Sequence, residues 1–333
     1  MRLLAISLFL TATAAFVPAS AAPNYHATGK IEVGGEGGWD YLTVDSAARR
    51  LYVSHATHVV VIDLDTNKVC GDIPDTPGVH GIALAPKLGK GFISNGRGNS
   101  VTVFDLKTMK ATGQVATGQN PDAIYYDAAS SRVFTFNGRS KDSTVINAET
   151  LKVEGTIALG AKPEFAVGTG DGVIYDNLED THQMVVIDAK KMSVSKKYDL
   201  TGCDSPSGLA MDTAHKRLFS VCDGNVMAIS DPAAGKVIAT AKIGEGPDAA
   251  GFDPAHGYAF SSNGDGTLTV VGESGGKYVV LQNATTHKGA RTMALDEKTH
   301  KVYLPIAEYE TATPGQKRPP MKPGSFAILV MGE

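Results

Sequence analysis

One tryptophan and three cysteines stand in 333 residues, aromatic side chains make up 7%, and only 20% of the chain is charged. So few cysteines exclude a disulfide-dense miniature scaffold. The thin aromatic complement, with no Cys-x-x-Cys-His haem attachment, leaves little of the equipment that quinone or haem chemistry uses. His-Glu-x-x-His, a phosphate-binding loop and a Gly-x-Ser-x-Gly elbow are also missing, which removes the zincin, P-loop and α/β-hydrolase readings. Acidic residues outnumber basic ones 35 to 31, a net charge of −4, so nucleic acid is an improbable partner. Beyond Val17 no apolar run approaches the roughly 20 residues of a membrane-spanning helix.

The one apolar run present is at the start. Arg2 is a positive n-region, Leu3 to Val17 an apolar h-region, and Ala19-Ser20-Ala21 the small-x-small pattern of signal-peptidase cleavage. Residues 1–21 therefore read as a cleavable leader, and the mature chain is expected in a periplasm or outside the cell. Loss of Arg2 takes the net charge from −4 to −5. In an oxidising compartment, Cys70, Cys203 and Cys222 should give one disulfide and one free thiol.

What the chain has in abundance is glycine, 37 residues, and a repeat. Val60-Val61-Ile62-Asp63-Leu64 returns as Thr102-Val103-Phe104-Asp105-Leu106, as Thr144-Val145-Ile146-Asn147-Ala148 and as Val185-Val186-Ile187-Asp188-Ala189. Weaker copies are Met227-Ala228-Ile229-Ser230, Leu268-Thr269-Val270-Val271 and Phe326-Ala327-Ile328-Leu329-Val330. From position 63 to 105, 147, 188 and 230 the intervals are 42, 42, 41 and 42. A second marker precedes each copy, as in Arg50-Leu51-Tyr52-Val53, Arg132-Val133-Phe134-Thr135, Arg217-Leu218-Phe219-Ser220 and Lys301-Val302-Tyr303-Leu304.

Seven units result. Each reads as four short β-branched or aromatic strands separated by turn residues. Asn95-Gly96, Asn137-Gly138 and Asn263-Gly264, between second and third strands, are expected to supply the positive φ of tight hairpins. The fold class predicted is all-β, a single seven-bladed β-propeller of four-stranded blades over residues 22–333. The last unit supplies three strands, so Thr28 to Val33 should complete it and close the ring. One insertion, 308–324, rich in Pro, Thr and basic residues, falls between the second and third strands of blade seven. Its prolines argue against strand or helix, leaving a surface loop or an arm over the propeller face.

Gly38-Trp39-Asp40-Tyr41-Leu42, Gly78-Val79-His80-Gly81-Ile82, Asn120-Pro121-Asp122-Ala123-Ile124, Lys162-Pro163-Glu164-Phe165-Ala166 and Pro206-Ser207-Gly208-Leu209-Ala210 carry a family likeness. So do Ser261-Ser262-Asn263-Gly264-Asp265-Gly266 and Pro323-Gly324-Ser325-Phe326. The chain resembles the YVTN-repeat, or YncE-like, secreted β-propellers over nearly all of its length after residue 21. The tetrapeptide itself is degenerate, Tyr52-Val53-Ser54-His55 in blade one. The resemblance implies the fold and the export; it implies no particular activity, because propellers serve as enzymes, carriers and scaffolds alike.

Superimposing the repeats places Asp40, His80, Asp122, Glu164, Ser207, Asp248 and Arg291 at the starts of the seven innermost strands, around one mouth of the axis. The hairpin loops add His55, Asn95, Arg97, Asn137, Arg139, Asn177, Asp223 and Asn263. Four carboxylates, a histidine and an arginine converging there could bind a small polar ligand or a divalent cation. The plainer alternative is that they cap backbone groups and wet a channel. His55, His58 and His80 could together hold a metal, though solvated or satisfied histidines are commoner. Asp63-Leu64-Asp65-Thr66-Asn67 starts like a calcium loop, but Lys68 stands where Gly is needed and Pro74 where a bidentate acid is needed.

The function expected is that of a monomeric binding or scaffold propeller with a small polar ligand or a protein partner. A metal-dependent hydrolase of lactonase type and a cofactor-dependent oxidoreductase are the alternatives. Repeat geometry also assigns the disulfide. Cys203 precedes the innermost strand of blade five and Cys222 ends its antiparallel neighbour, so the two sulfurs should meet; Cys70, at the outer strand of blade one, should stay free.

Overall fold

The computed structural model describes residues 22–311 and 319–333. The expected leader, 1–21, and the middle of the insertion lie outside the described residues. Seven four-stranded antiparallel sheets follow one another in chain order, with two short 3-10 turns as the only helical segments among the described residues. Blade one runs Trp39–Asp45, Arg50–His55, His58–Asp63 and Lys68–Ile73 from axis to rim. Blades two to six repeat the pattern, beginning with Val79–Ala85, Pro121–Asp127, Pro163–Gly168, Asp204–Asp212 and Pro247–Asp253. Blade seven is Ala294–Asp296, Lys301–Ile306 and Ala327–Gly332, completed at its rim by His26–Glu32 from the other end of the chain. That closing strand pairs antiparallel, His26 opposite Gly332 and Glu32 opposite Ala327.

The layering follows from composition. Second and third strands are almost wholly buried runs such as Arg50-Leu51-Tyr52-Val53 and His58-Val59-Val60-Val61-Ile62, each side packing on a neighbouring blade. Rim strands such as Lys68–Ile73 are mostly exposed and carry polar residues. Where the third strand turns into the fourth, Asp63, Asp105, Asn147, Asp188 and Asp231 accept backbone N–H groups two and three residues on. The repeating acid is therefore a turn cap. In blade five the cap is Asp231, one residue later than the repeat spacing placed it, because Asp231 pairs with Lys236 as Asp63 pairs with Lys68.

Two expectations need correction. In the Asn-Gly hairpins the positive φ comes at Asn99, Lys141 and Gly266, several residues past the asparagine. Asn95, Asn137 and Asn263 instead end buried second strands and donate to hydroxyls on the third: Thr102, Thr144 and Thr269 at 2.9, 3.0 and 3.1 Å. The arms of the insertion are also not wholly without order. Tyr309 and Met321 form an antiparallel bridge, flanked by Glu310 N donating to Pro320 O at 2.9 Å and Lys322 N to Glu308 O at 2.8 Å. Proline lacks a donor, but its carbonyl still accepts, so Pro320 serves on one side of a two-stranded pair.

Cys203 and Cys222 are bonded with Cα atoms 5.3 Å apart, and Cys70 is free and exposed.

Candidate functional site

At or near the start of the innermost strand of blades one to six an apolar residue is followed by a polar one: Trp39-Asp40, Val79-His80, Pro121-Asp122, Pro163-Glu164, Pro206-Ser207 and Pro247-Asp248. The ladder to the second strand is irregular just after this point in all six. Such a bulge bends the strand and re-aims a side chain. The apolar residue packs into the blade while its neighbour faces the axis. Side chains of the second strand lock this in place: Ser94 Oγ donates to Asp122 O at 2.5 Å, Ser262 Oγ to Arg291 O at 2.5 Å and Asn177 Nδ2 to Ser207 O at 2.7 Å. Thr292 Oγ1 donates to Asp40 O at 2.8 Å, joining blade seven to blade one.

The ring residues pair with one another. His80 Nδ1 makes a short hydrogen bond to Asp40 Oδ2 and lies 3.6 Å from Asp122 Oδ1. Arg291 Nε is 3.1 Å from Asp248 Oδ2, and Lys162 Nζ is 2.9 Å from Glu164 Oε2 and also touches Glu179. Burial works against a charged His80, but the bond to Asp40 and the charges of Asp122, Asp40 and Glu164 outweigh it and lift the imidazole to about 9. Burial pushes Asp248 up to about 7, with Asp40 and Glu164 adding to the shift and Arg291 opposing it. Burial also holds Asp122 well above, and Glu164 above, the ordinary carboxylate range.

Beneath the ring two aromatic side chains meet across the axis: Tyr41 of blade one and Phe165 of blade four, ring centroids 4.7 Å apart. Burial raises the Tyr41 phenol, and Asp248, Glu164, Asp40 and Asp122 all add to the effect, which sets it under the four carboxylates.

Beside the ring, Trp39, Asp40, His80, Arg97, Asn120 and Arg139 line a cavity of about 420 Å³. Arg97 and Arg139 are exposed there, and among the described residues neither guanidinium has a hydrogen-bond or carboxylate partner. Gly96 lets His80 sit against the backbone: a Cβ at Gly96 would lie 2.5 Å from His80 Nε2.

The structure thus brings Asp40, His80, Asp122, Glu164, Asp248 and Arg291 to one mouth, with Arg97 and Arg139 at its edge. It places His55, Asn137 and Asn263 inside the blades, fully buried. His55 stacks on Phe326 at 4.3 Å and neither ring nitrogen has a partner among the described residues; burial and the neighbouring His58 lower it to about 4. His58 approaches Asp72 while His80 bonds Asp40, so the three histidines form no common metal site. Among the described residues two other donor sets are close enough for an ion: Asp40, His80 and Asp122, and Asp253, His256 and His300.

Sequence reasoning missed Lys162, Asn120, Tyr41 and Asp176. The last is buried with both carboxylate oxygens unpartnered, and burial lifts it well above the usual range, with Glu164 and Asp122 adding to the shift. An alignment of second strands carries the signal, because Asp176 stands where other blades have Val53, Ile93, Thr135, Ser220 and Ser261.

Seven four-stranded blades, a closing strand from the far end of the chain and a polar mouth define a seven-bladed β-propeller. Among solved structures it is similar to hydrazine synthase of Kuenenia stuttgartiensis, at 16% identity and a TM-score of 0.70, over 82% of this chain and 94% of that one. It is similar also to U3-55K (7%, TM-score 0.76, 90% and 97% covered) and to the RRP9 WD40 repeats (7%, TM-score 0.78, 93% and 99% covered). At these identities the likeness is one of fold. No protein-family model and no curated protein sequence matches the chain.

Proposed function

We propose that the protein is an exported propeller of the YVTN-repeat, YncE-like kind that binds, without transforming, a small anionic ligand or an acidic group of a partner at the axial mouth. The observation that carries the reading is the exposed pair Arg97 and Arg139, without partners among the described residues, beside His80, whose imidazole the ring carboxylates lift to about 9. The ring carboxylates already have internal cations, whereas these two guanidinia have none, and a guanidinium fork matches a carboxylate or phosphate. Asn120 and the His80 Nε2 side of the cavity add donors. Among the described residues no group near the mouth pairs a nucleophile with a base in the way that acyl or phosphoryl transfer uses. The leader-like residues 1–21 and the Cys203–Cys222 bond support export.

The test is a thermal-shift and calorimetric screen of the mature protein against succinate, citrate and inorganic phosphate. Saturable stabilisation by at least one of them is expected, and Arg97→Ala/Arg139→Ala should weaken it by about tenfold or more. Equal binding by the double variant, or no shift with any of the anions, overturns the reading.

A second reading rests on the donors of Asp40, His80 and Asp122 lying within 4.8 Å of one another. A divalent cation held there would polarise a carbonyl, as a lactonase-type hydrolase requires. Stabilisation by Ca²⁺ or Mn²⁺ that Asp122→Asn abolishes would move the assignment to it.

A further inference from the structure

On the opposite face from the mouth, the innermost strand of blade six ends at Asp253, whose side chain is wholly buried. Two histidines reach the same oxygen. His256, in the turn that follows, brings Nδ1 to 2.6 Å from Asp253 Oδ2, and His300, from blade seven, brings Nδ1 to 2.9 Å. The rings meet edge to face, centroids 4.6 Å apart, and Tyr258 stacks on His256 at 5.4 Å. Each imidazole is about one-third exposed (33% and 34%), so the carboxylate closes the site from within and the rings leave it open outward.

The rest of the ring shows that this is more than the local turn. The residue before each second strand has a positive φ in all seven blades: Arg49, Gly89, Ser131, Gly172, Lys216, Gly257 and His300. In blades one, four and seven that position reaches the acid that ends the innermost strand of the preceding blade. Asp296 takes Arg49 there at 2.6 Å, and Asp127 takes the Gly172 N–H at 3.1 Å. In blade five Asp212 has a turn histidine, His215 at 2.7 Å, but blade six answers with Gly257, which has no side chain to offer. Among the described residues, a turn histidine and a cross-blade histidine meet on one buried carboxylate only between blades six and seven.

We infer that Asp253, His256 and His300 form a binding site for Zn²⁺ or a similar borderline divalent ion, bridging blades six and seven. Two imidazole nitrogens and one carboxylate oxygen suit zinc and its neighbours and are poor for Ca²⁺ or Mg²⁺, which prefer oxygen. Three protein ligands with an outward fourth position make an open tetrahedral site. Tetrahedral bonds of about 2.0–2.1 Å need donors about 3.4 Å apart, so His256, now at 2.6 Å, must draw back from Asp253 by about 0.8 Å and His300, at 2.9 Å, by about 0.5 Å. Their partial exposure leaves room for that. Coordination through Nδ1 leaves each ring's proton on Nε2, which faces outward. Tyr25 Oη donates to His300 O at 3.1 Å, so the site also adjoins the segment that leads into the ring-closing strand. The site is independent of the mouth, and its success or failure does not bear on the reading given there.

Full-length mature protein stripped of metal should bind one equivalent of Zn²⁺ by calorimetry, and Co²⁺ in its place should give the intense visible bands of a tetrahedral centre. His300→Asn, chosen because asparagine tolerates the positive φ of 57° at that position, should weaken Zn²⁺ binding by about tenfold or more. His256→Gln should do the same, with the β-sheet circular dichroism unchanged in both. His80→Gln and His215→Gln should leave binding intact, which separates this site from the mouth and from the single-histidine turn. Zn²⁺ binding that survives both His256→Gln and His300→Asn overturns the assignment. So does loss of binding in His80→Gln, or weak multi-equivalent uptake without tetrahedral Co²⁺ bands.

Discussion

His80 and Asp176 show how differently one mouth treats two titratable groups. For His80 the folded state favours the proton, at about 9 against the ordinary histidine value of 6.5. Its contribution to stability is therefore complete below about pH 6.5 and is lost as pH rises through about 9. Asp40→Asn removes one charge and leaves only a neutral amide acceptor for His80 Nδ1, so it should bring the imidazole down by more than one unit. A ¹H–¹³C NMR titration of the histidine rings reads this directly; an unchanged His80 midpoint would refute the assigned pairing. Asp176 is the opposite case, an acid whose burial disfavours its charged form. With its folded value raised, it costs stability increasingly as pH climbs above the ordinary carboxylate range. Asp176→Val copies blade one, where the fully buried Val53 stands at this position. Removing an unpartnered buried acid should stabilise at pH 8 by about 1 kcal/mol or more, and by less at pH 4, as read from urea denaturation.

At the scale of strands and turns, the disulfide is the clearest test. Cys203 lies just before the innermost strand of blade five, and Pro206 of that strand pairs with Cys222, so one bond ties the start of the strand to the end of its neighbour. Cys203→Ser/Cys222→Ser should lower unfolding stability by about 3 kcal/mol in the chain-entropy picture. Non-reducing peptide mapping should find the Cys203–Cys222 peptide and an alkylatable Cys70. This pairing was legible in the sequence because the repeat fixes strand order, and strand order fixes which ends adjoin. The same logic put Asp40, His80, Asp122, Glu164, Asp248 and Arg291 on one mouth. It misled at Asn137 and Asn263, where the residue type suggested a turn but the side chain serves a buried Thr ladder. Side-chain direction at a strand end depends on register to the third strand, and the repeat period does not encode it. Lys162 and Asp176 were invisible for a related reason: they break the repeat in one blade, and a periodic reading averages such departures away.

The whole ring depends on one non-local pairing. His26–Glu32 covers the outer edge of Ala327–Gly332, and Val33 N and Gly34 N both donate to Phe326 O, at 3.1 and 2.9 Å. Removing residues 22–33 would leave that edge unpaired, with nothing to hold blade seven against blade one beyond its side-chain contacts. Such a truncation should lower the melting temperature by ten degrees or more and shift the protein toward aggregates in size-exclusion chromatography. A truncated chain that stays monomeric with an unchanged melting temperature would show that closure lies elsewhere.

If the contact between Tyr41 and Phe165 bars passage along the axis, the mouth is a well with a floor. Whatever settles among Asp40, His80 and Arg97 must then leave by the opening through which it arrived. A macromolecule resting over that opening, if it favours neither the filled nor the empty well, would slow arrival and departure by the same factor. Residence time would lengthen while the dissociation constant stayed where it was. The blades between them would then act as the walls of a timer, set by what sits on top and indifferent to how tightly the contents are held.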